Sequence, residues 1–229
     1  MRILWFWIKL LPDLPWIYFS AKKALRLPYE ERYAKLRKVA SLIVKKLNVQ
    51  IEVIGKENIP LQEGFMFAAN HQGSADAFIF VDSCAITTTA VSKIEGKQIP
   101  FLSMWYDVME VIFFKRESLK DGVRMANSLA SYLLQGRNVL IFPEGTRSRS
   151  QIMNDFKPGS FKGAYKAKAP IIPLALINAY IPLDSKAKKK PVKVVYGQPL
   201  HYEEYGQWST MQLASEVKER IQSMIDQYQ

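Results

Sequence analysis

The stretch "FMFAANHQGSADAFIF" (residues 65–80) decides the fold, because two apolar runs in it flank a short polar insert that contains one of the two histidines, His71. The first run has the length and character of a buried strand. Gly73 permits a tight turn, and Asp76 lies where the second run would begin a helix. A strand that ends at His71 delivers the imidazole to the edge of a sheet, where open α/β sheets place their ligands.

Apolar runs of strand length recur along the chain and alternate with segments of helical periodicity. The predicted strands are "QIEVIG" (50–55), "GFMFAAN" (64–70), "TTTAVSK" (87–93), "VIFFKR" (111–116), "NVLIFPEG" (138–145) and "PIIPLAL" (170–176). The predicted helices include 119–135, 160–168 and 210–229. Alternation of this kind predicts an α/β fold with a mixed central sheet flanked by helices.

Length and composition indicate one fairly large domain, or one domain with an appendage, because 48% of the 229 residues are hydrophobic. The single cysteine, Cys84, excludes a disulfide framework and a multi-thiolate metal site, and it fits a reducing cytosol. The net charge is +11, and residues 1–48 hold most of it, with eleven Lys or Arg against three acids. The basic excess is therefore mainly an N-terminal property.

The first 27 residues combine three tryptophans with five basic residues, which is typical of a helix at a membrane surface. Lys9, Pro12, Asp13 and Pro15 interrupt the apolar run, so a spanning helix is disfavoured. The segment 29–47 has helical apolar spacing and basic decoration. We therefore predict an N-terminal amphipathic, interfacial helical element over residues 1–48 and an α/β domain over 49–229. The alternative is an ordinary amphipathic helix packed on its own domain, with solvated charges.

The spacing His-x4-Asp lets the carboxylate of Asp76 reach one ring nitrogen of His71 and leaves the other free to take a proton. The chain contains no G-x-S-x-G motif, and Cys84 has no recognisable context for a nucleophile. The attacking group would then be a hydroxyl of the substrate, with His71 as general base. The alternative is that Asp76 caps a helix and that His71 is a satisfied loop histidine.

Two other predicted strands also end in charged residues. "NVLIFPEGTRSRS" (138–150) places Glu144, Thr146, Arg147 and Arg149 within six residues, and "VIFFKRES" (111–118) brings Lys115 and Arg116 to the end of a third strand. Guanidinium groups at strand ends suit bidentate recognition of a phosphate. Together with the His–Asp pair they indicate a phosphate-bearing alcohol as substrate, although each cluster alone could be a surface salt-bridge network.

Four blocks in order give a specific resemblance. "NHQGSAD" (70–76), "VIFFKR" (111–116), "FPEGTRSR" (142–149) and "APIIPLAL" (169–176) are similar to the conserved blocks of the glycerolipid acyltransferase superfamily, most closely the 1-acylglycerol-3-phosphate acyltransferase family. The resemblance covers roughly residues 50–200. The chain departs from the family pattern at Gly73, where many members have serine, and at Glu110, where glycine is usual.

The resemblance implies roles for individual residues. His71 would be the general base and Asp76 its orienting carboxylate. The acceptor site would be formed by Arg116, Lys93, Glu144, Gly145, Thr146 and Arg147, with Arg116 on the acceptor's phosphate and Lys93 as a second cation. Pro173, in the fourth block, would belong to the acyl-donor side or to local structure.

The activity implied is transfer of a fatty acyl chain from an acyl thioester to the sn-2 hydroxyl of 1-acylglycerol 3-phosphate. The product would be phosphatidic acid, a step of phospholipid biosynthesis. No covalent acyl-enzyme, metal or cofactor is expected, and the co-substrate would be acyl carrier protein or coenzyme A carrying the acyl group. The expected partners are this donor, lysophosphatidic acid and an anionic bilayer. The expected location is the cytoplasmic face of the cell membrane, peripheral or monotopic.

The alternatives lie in several classes. Glycerol 3-phosphate or another lysophospholipid could be the acceptor, or the chain could be a non-catalytic protein that binds a membrane surface. A nucleic-acid-binding module is disfavoured, because the basic residues stand among tryptophan and leucine and no nucleic-acid motif is present. The basic run 186–190 is predicted to be a solvated loop before a strand.

Overall fold

The structure is a computed structural model in which helices and strands alternate. It describes residues 2–62, 64–98, 102–115, 118–184, 187–188 and 190–229. The helices are α1 (Arg2–Leu10), α2 (Leu14–Ala24), α3 (Tyr29–Leu47), α4 (Asp76–Ser83), α5 (Leu102–Met109), α6 (Leu119–Leu134), α7 (Lys162–Ala167), α8 (Tyr202–Tyr205) and α9 (Thr210–Tyr228). The strands are β1 (Ile51–Ile54), β2 (Met66–Ala69), β3 (Thr88–Lys93), β4 (Ile112–Phe114), β5 (Asn138–Ile141), β6 (Ile171–Ile177) and β7 (Val192–Tyr196).

The strands of the described residues form one seven-stranded sheet with the order β1-β7-β6-β2-β5-β3-β4. Neighbouring strands are parallel, except that β6 and β7 are antiparallel. The predicted α/β fold with a mixed central sheet flanked by helices is therefore confirmed. Because β2 to β6 point the same way, their carboxyl ends meet at one side of the sheet, which we call the carboxyl edge.

Each face of the sheet is covered by its own apolar core. Along β2, Phe67 and Ala69 enter the core shared with α1 to α5, whereas Met66 and Ala68 enter the core shared with α6, α7 and α9. All four side chains are fully buried. Full burial of a phenylalanine contributes roughly 1.5–3 kcal/mol. This two-sided burial explains why the strand reads as an uninterrupted apolar run rather than an alternating one.

The N-terminal helices bury one side and expose the other. Helix α3 packs on α4 and α5, as an ordinary amphipathic helix does, while α1 and α2 pack on α3 through Leu10, Ile17 and Ala21. Their exposed apolar side chains include Leu4, Trp5, Trp7, Ile8, Trp16 and Phe19. Within the described part of the chain, no helix has both the length and the apolar character needed to cross a membrane. The membrane-surface role and the division at residue 48 remain predictions.

Pro173 lies inside β6, with a buried ring, opposite Ala68 of β2. Its carbonyl accepts a hydrogen bond from the Gly197 N–H at 2.8 Å, on the side of β7. The ladder between β6 and β7 ends at the pair Leu174–Tyr196. Pro173 therefore lies at the end of the β6–β7 ladder, where the absence of a backbone N–H removes a single hydrogen bond. This position favours a role in local structure over contact with a donor.

Glu110 precedes β4, at the edge of the sheet opposite the carboxyl edge, and its φ of 53° is one that favours glycine. Its carboxylate forms one salt bridge with Arg32 of α3 at 3.1 Å and another with Arg137 at 2.8 Å. The Arg137 guanidinium lies between the rings of Tyr29 and Tyr132, at 4.2 and 4.0 Å from their centroids. Glu110 thus ties α3 to the sheet.

We expect Arg137→Ala to lower the free energy of unfolding by about 1–3 kcal/mol, because two cation–π contacts and a charge-assisted hydrogen bond are lost. Chemical denaturation should show a lower midpoint at an unchanged m-value. The matched control is Arg124→Ala, whose exposed guanidinium pairs with Asp121 at 3.3 Å, and which should change stability by less than about 0.5 kcal/mol. Equal losses for the two variants would show that this cluster does not stabilise the fold.

Candidate active site

Asn70 is the first residue after β2 and immediately precedes His71. Its side-chain Nδ2 donates to the carbonyl of Leu176 on β6 at 2.9 Å, and its Oδ1 accepts from the Leu176 N–H at 2.7 Å. The side chain thereby takes the place of the β2 backbone as the partner of β6. The main chain after Ala69 is free to turn, and His71 emerges at the carboxyl edge.

The turn holds the His–Asp pair that the sequence predicts. His71 Nδ1 lies 2.7 Å from Oδ2 of Asp76, whose side chain is fully buried. The same carboxylate accepts from the Gln72 N–H at 2.6 Å and from the Gly73 N–H at 2.9 Å. Asp76 is the first residue of α4, yet these donors come from the loop before it, so the carboxylate organises the turn instead of acting as the N-cap, a position held by Ala75.

The backbone and ring of His71 are held from two further directions. Its N–H donates to Glu144 Oε1 at 2.6 Å, and its carbonyl accepts from the Ser148 N–H at 2.8 Å. Its ring stacks on Phe142, with centroids 4.2 Å apart and an interplanar angle of 22°. The side chain remains 23% exposed. With Nδ1 occupied by Asp76, Nε2 is the nitrogen that can take a proton from a substrate.

Glu144 is a buried tie between loops. Beside its bond to His71, its Oε2 accepts from both the N–H and the Nδ2 of Asn154 at 2.8 Å. Burial raises the pKa of the Glu144 carboxyl, and the hydrogen bonds from His71 and Asn154 oppose that shift. Both oxygens of the Glu144 carboxylate accept hydrogen bonds from the protein. Glu144 would therefore contribute to an acceptor site by holding in place the two loops that it joins.

The turn after β5 brings a cation to the His–Asp turn. Gly145 adopts a φ of 65°, and its N–H donates to the Phe142 carbonyl at 2.9 Å, which closes the turn. Thr146 and Arg147 are exposed at its tip. Arg147 Nη1 donates to the hydroxyl of Ser74, which lies between His71 and Asp76 in the chain. The structure therefore places Arg147 next to the pair.

Two further predicted cations, Lys93 and Lys115, lie along the carboxyl edge. Lys93 is the last residue of β3, two strands away from β2 in the sheet. Lys115 is exposed directly after β4. Arg116 lies outside the described residues. The edge thus carries positive charge on the side of His71 where β5, β3 and β4 end.

A network of side-chain amides behind His71 was not predicted from the sequence. Gln72 Nε2 donates to Gln151 Oε1 at 2.6 Å, and Gln151 Nε2 donates to Asn178 Oδ1 at 2.7 Å. Gln72 Oε1 accepts from the Ala179 N–H at 2.7 Å. Gln72 lies within the first quoted block, and Gln151, Asn154 and Asn178 each follow a quoted block by two to five residues. Nothing in this spacing predicts that the side chains meet.

Other reactive groups lie elsewhere. Cys84 is buried, and burial raises the pKa of its thiol, which disfavours a thiolate at this position. The second histidine, His201, stands at the start of α8, where its N–H donates to Glu204 at 3.0 Å. Among the residues that the structure covers, no three His, Cys, Asp or Glu side chains lie together in a group suited to a metal ion. The arrangement is an oriented imidazole beside a cation.

Comparison with known proteins places the chain among acyltransferases. Residues 50–177 match the family model described as Acyltransferase. A relative from Mycoplasma pneumoniae, named probable 1-acyl-sn-glycerol-3-phosphate acyltransferase, is 26% identical over 216 residues, which are 88% of this chain and 80% of the relative. A 1-acyl-sn-glycerol-3-phosphate acyltransferase from Borreliella burgdorferi is 35% identical over 130 residues, 57% of this chain and 52% of the relative.

Among solved structures, the fold is similar to that of the 1-acyl-sn-glycerophosphate (LPA) acyltransferase PlsC from Thermotoga maritima, with a TM-score of 0.81 and 22% identity. The match covers 99% of this chain and 97% of that one. The family model spans more than half of the sequence and contains both His71 and Asp76. The chain therefore belongs to the acyltransferase family.

Proposed function

We propose that this chain transfers a fatty acyl group from an acyl thioester to the sn-2 hydroxyl of 1-acylglycerol 3-phosphate and so forms phosphatidic acid. The observation that carries the proposal is the pair of His71 and Asp76, joined at 2.7 Å and placed beside Arg147. The names of the relatives from Mycoplasma pneumoniae and Borreliella burgdorferi support this choice of acceptor.

His71 is the proposed general base, and Asp76 holds its Nδ1 proton so that Nε2 carries the lone pair. The acceptor hydroxyl gives its proton to Nε2 while its oxygen attacks the thioester carbonyl carbon. The tetrahedral oxyanion then collapses, the C–S bond breaks, and the leaving thiolate takes the proton from the imidazolium. The steps leave an ester and a free thiol without a covalent acyl-enzyme. They use no metal and no cofactor beyond the acyl carrier protein or coenzyme A thioester.

Recognition of the acceptor is assigned to the cations on the β5, β3 and β4 side of His71. Arg147 is the proposed phosphate ligand beside the pair, with Lys93 and Arg116 as further cations; Gly145 and Thr146 shape the turn and Glu144 holds it from inside. A guanidinium offers a phosphate two parallel hydrogen bonds. Glycerol 3-phosphate and other lysophospholipids present the same groups and are the alternative acceptors. A non-catalytic membrane-surface protein is the alternative outside the enzymes.

Helices α1 and α2 are the proposed contact with an anionic bilayer, at the cytoplasmic face and in a peripheral or monotopic arrangement. Trp5, Trp7 and Phe19 are each more than half exposed, and several other apolar side chains of the same two helices are exposed as well. Exposed apolar side chains in such number are typical of an interaction site. Lys9 and Lys22 lie on the same two helices. Rings in the headgroup zone with cations beside them suit an interfacial element.

The activity is tested with purified protein, lysophosphatidic acid and both thioester donors, with the product identified by mass. His71→Ala should reduce turnover by roughly 10²–10⁴-fold, the contribution of a positioned base. The matched control is His201→Ala, which removes the other histidine and should leave turnover unchanged. A loss below about tenfold for His71→Ala would exclude it as the base. A wild type that binds lysophosphatidic acid but acylates no acceptor would favour the non-catalytic alternative.

Asp76→Asn should lower kcat by about 10²–10⁴-fold with a small change in the KM of either substrate, because an amide no longer holds the ring in the required tautomer. The control is Asp82→Asn on the same helix, where the carboxylate accepts from the Ser41 hydroxyl at the surface. Circular dichroism and thermal unfolding of both variants separate a catalytic loss from a loss of folded protein. Equal kcat values for the two variants would contradict the orienting role.

Membrane binding is tested by replacing Trp5, Trp7 and Phe19 together with serine. Deleting the helices is less informative, because Ile17 and Ala21 are buried in the core. Each ring withdrawn from the bilayer forfeits up to about 1.5–3 kcal/mol, so co-sedimentation with anionic vesicles should fall at least roughly tenfold. High salt should weaken wild-type binding only in part, since the apolar share is not screened.

The control for this experiment replaces Leu61, Leu134 and Met211 with serine, because these apolar side chains are as exposed but lie outside α1 and α2. The control variant should pellet like the wild type. Both variants should keep turnover on a short-chain acceptor below its micelle concentration. Equal pelleting of the two variants would place the membrane contact elsewhere.

A further inference from the structure

A cavity of about 360 Å³ opens at the carboxyl edge on the side of His71 away from Arg147. It lies at the end of β6, which neighbours β2 in the sheet, whereas Arg147 follows β5, the neighbour on the other side. Its lining includes Gln151, Asn178, Tyr180, Lys188 and Lys190. The strand order thus puts the turn of His71 and Asp76 between Arg147, which follows β5, and the lysines of the cavity, which lie beyond β6.

The floor of the cavity is connected to the catalytic turn. Gln151 lines the cavity and is hydrogen-bonded to both Gln72 and Asn178. Asn178 Nδ2 donates to the Pro191 carbonyl at 3.0 Å, which joins the end of β6 to the start of β7. Gln72 in turn gives its N–H to Asp76. The floor is therefore a fixed polar surface one side chain removed from the turn that carries His71.

The rim of the cavity is cationic, and α1 holds it in place. Arg2 donates to the carbonyls of Ile181 at 3.1 Å and Ala187 at 2.8 Å, so its guanidinium is engaged in shaping the loop. No carboxylate of the described residues forms a salt bridge with Lys188 or Lys190. Their ammonium groups therefore remain available for an anion, and these two lysines of the predicted solvated loop line a concave surface.

We propose that this cavity binds the phosphate of the acyl donor, the phosphate of the phosphopantetheine arm that coenzyme A and acyl carrier protein share. The inference rests on the proposed function, because it requires a thioester donor. Both substrates must place their reacting atoms at His71, and the acceptor's phosphate is assigned to the Arg147 side. The donor's phosphate then needs cations on the other side, and Lys188 and Lys190 supply them. The arm between phosphate and thioester passes from the cavity to the catalytic turn.

A bilayer surface is a less suitable occupant of this cavity. A bilayer surface is bound by the exposed cations and apolar side chains of an interfacial helix, as proposed for α1 and α2. Here the lysines rim a concavity whose floor is a hydrogen-bonded amide network that leads to Gln72. Such a floor suits a ligand that is bound in one orientation relative to the catalytic pair.

The test compares S-acyl phosphopantetheine with S-acyl pantetheine, two donors that differ only by the phosphate. The double variant Lys188→Gln/Lys190→Gln should lower kcat/KM for the phosphorylated donor roughly ten- to hundred-fold, as expected for loss of charge-assisted hydrogen bonds. It should leave the phosphate-free donor and the acceptor's KM unchanged. The matched control, Lys56→Gln/Lys166→Gln, removes two lysines outside the carboxyl edge and should behave like the wild type.

The outcomes separate this inference from the proposed function. Wild-type protein that uses both donors, with a double variant that does not distinguish them, overturns the donor site and leaves the acyl transfer intact. A double variant that loses only vesicle binding shows a lipid contact and also overturns the inference. Equilibrium binding of unacylated phosphopantetheine, weakened in the double variant, supports the site even without turnover, and absence of such binding to the wild type overturns it. Equal losses with acyl-coenzyme A and acyl carrier protein support the shared phosphate, whereas a loss with the carrier protein alone contradicts it.

Discussion

The buried carboxylate of Asp76 is the interaction on which the rest of the site depends. A fully buried anion is tolerated only where donors surround it, and here the donors are His71 Nδ1 and the N–H groups of Gln72 and Gly73. Charge-assisted bonds of this kind each contribute roughly 1.5–3 kcal/mol. The hydrogen bonds to this one carboxylate therefore determine both the path of the turn and the plane of the imidazole. Glu144, which follows the neighbouring strand β5, holds the same turn in a second way, because its carboxylate accepts a hydrogen bond from the His71 N–H.

The sequence predicted the strands that are buried on both faces, because each is an apolar run that stops abruptly at polar residues. β2 and β5 are examples, and each ends beside a residue of the site, His71 or Glu144. Helix α5 and the antiparallel direction of β7 were not predicted. α5 has only eight residues, too few for a clear helical period. The direction of β7 depends on its pairing with β6, a contact between distant residues that no local pattern encodes.

Side-chain direction was the other limit of prediction. Spacing along the chain places a residue at a strand end but does not show whether its side chain faces solvent or protein. Arg147 and Glu144 stand three residues apart in the same turn, yet the first is exposed and the second is buried. Glu110 shows the same limit in the backbone. Its positive φ explains why glycine suits that position, and its two arginine partners explain how a glutamate is accommodated there.

The attachment of α1 to the carboxyl edge connects the proposed membrane contact to the chemistry. Arg2 opens the helix that carries Trp5 and Trp7, and it donates to the carbonyls of Ile181 and Ala187 in the segment between β6 and β7. A lysophospholipid keeps its acyl chain in the bilayer, so its free hydroxyl and its phosphate are confined to the headgroup layer. A base that acts on that hydroxyl must lie at the same level. Because Arg2 of α1 is hydrogen-bonded to the segment that follows β6 at this edge, the depth of the aromatic rings in a bilayer would also set the height of the proposed base, His71, above the lipid.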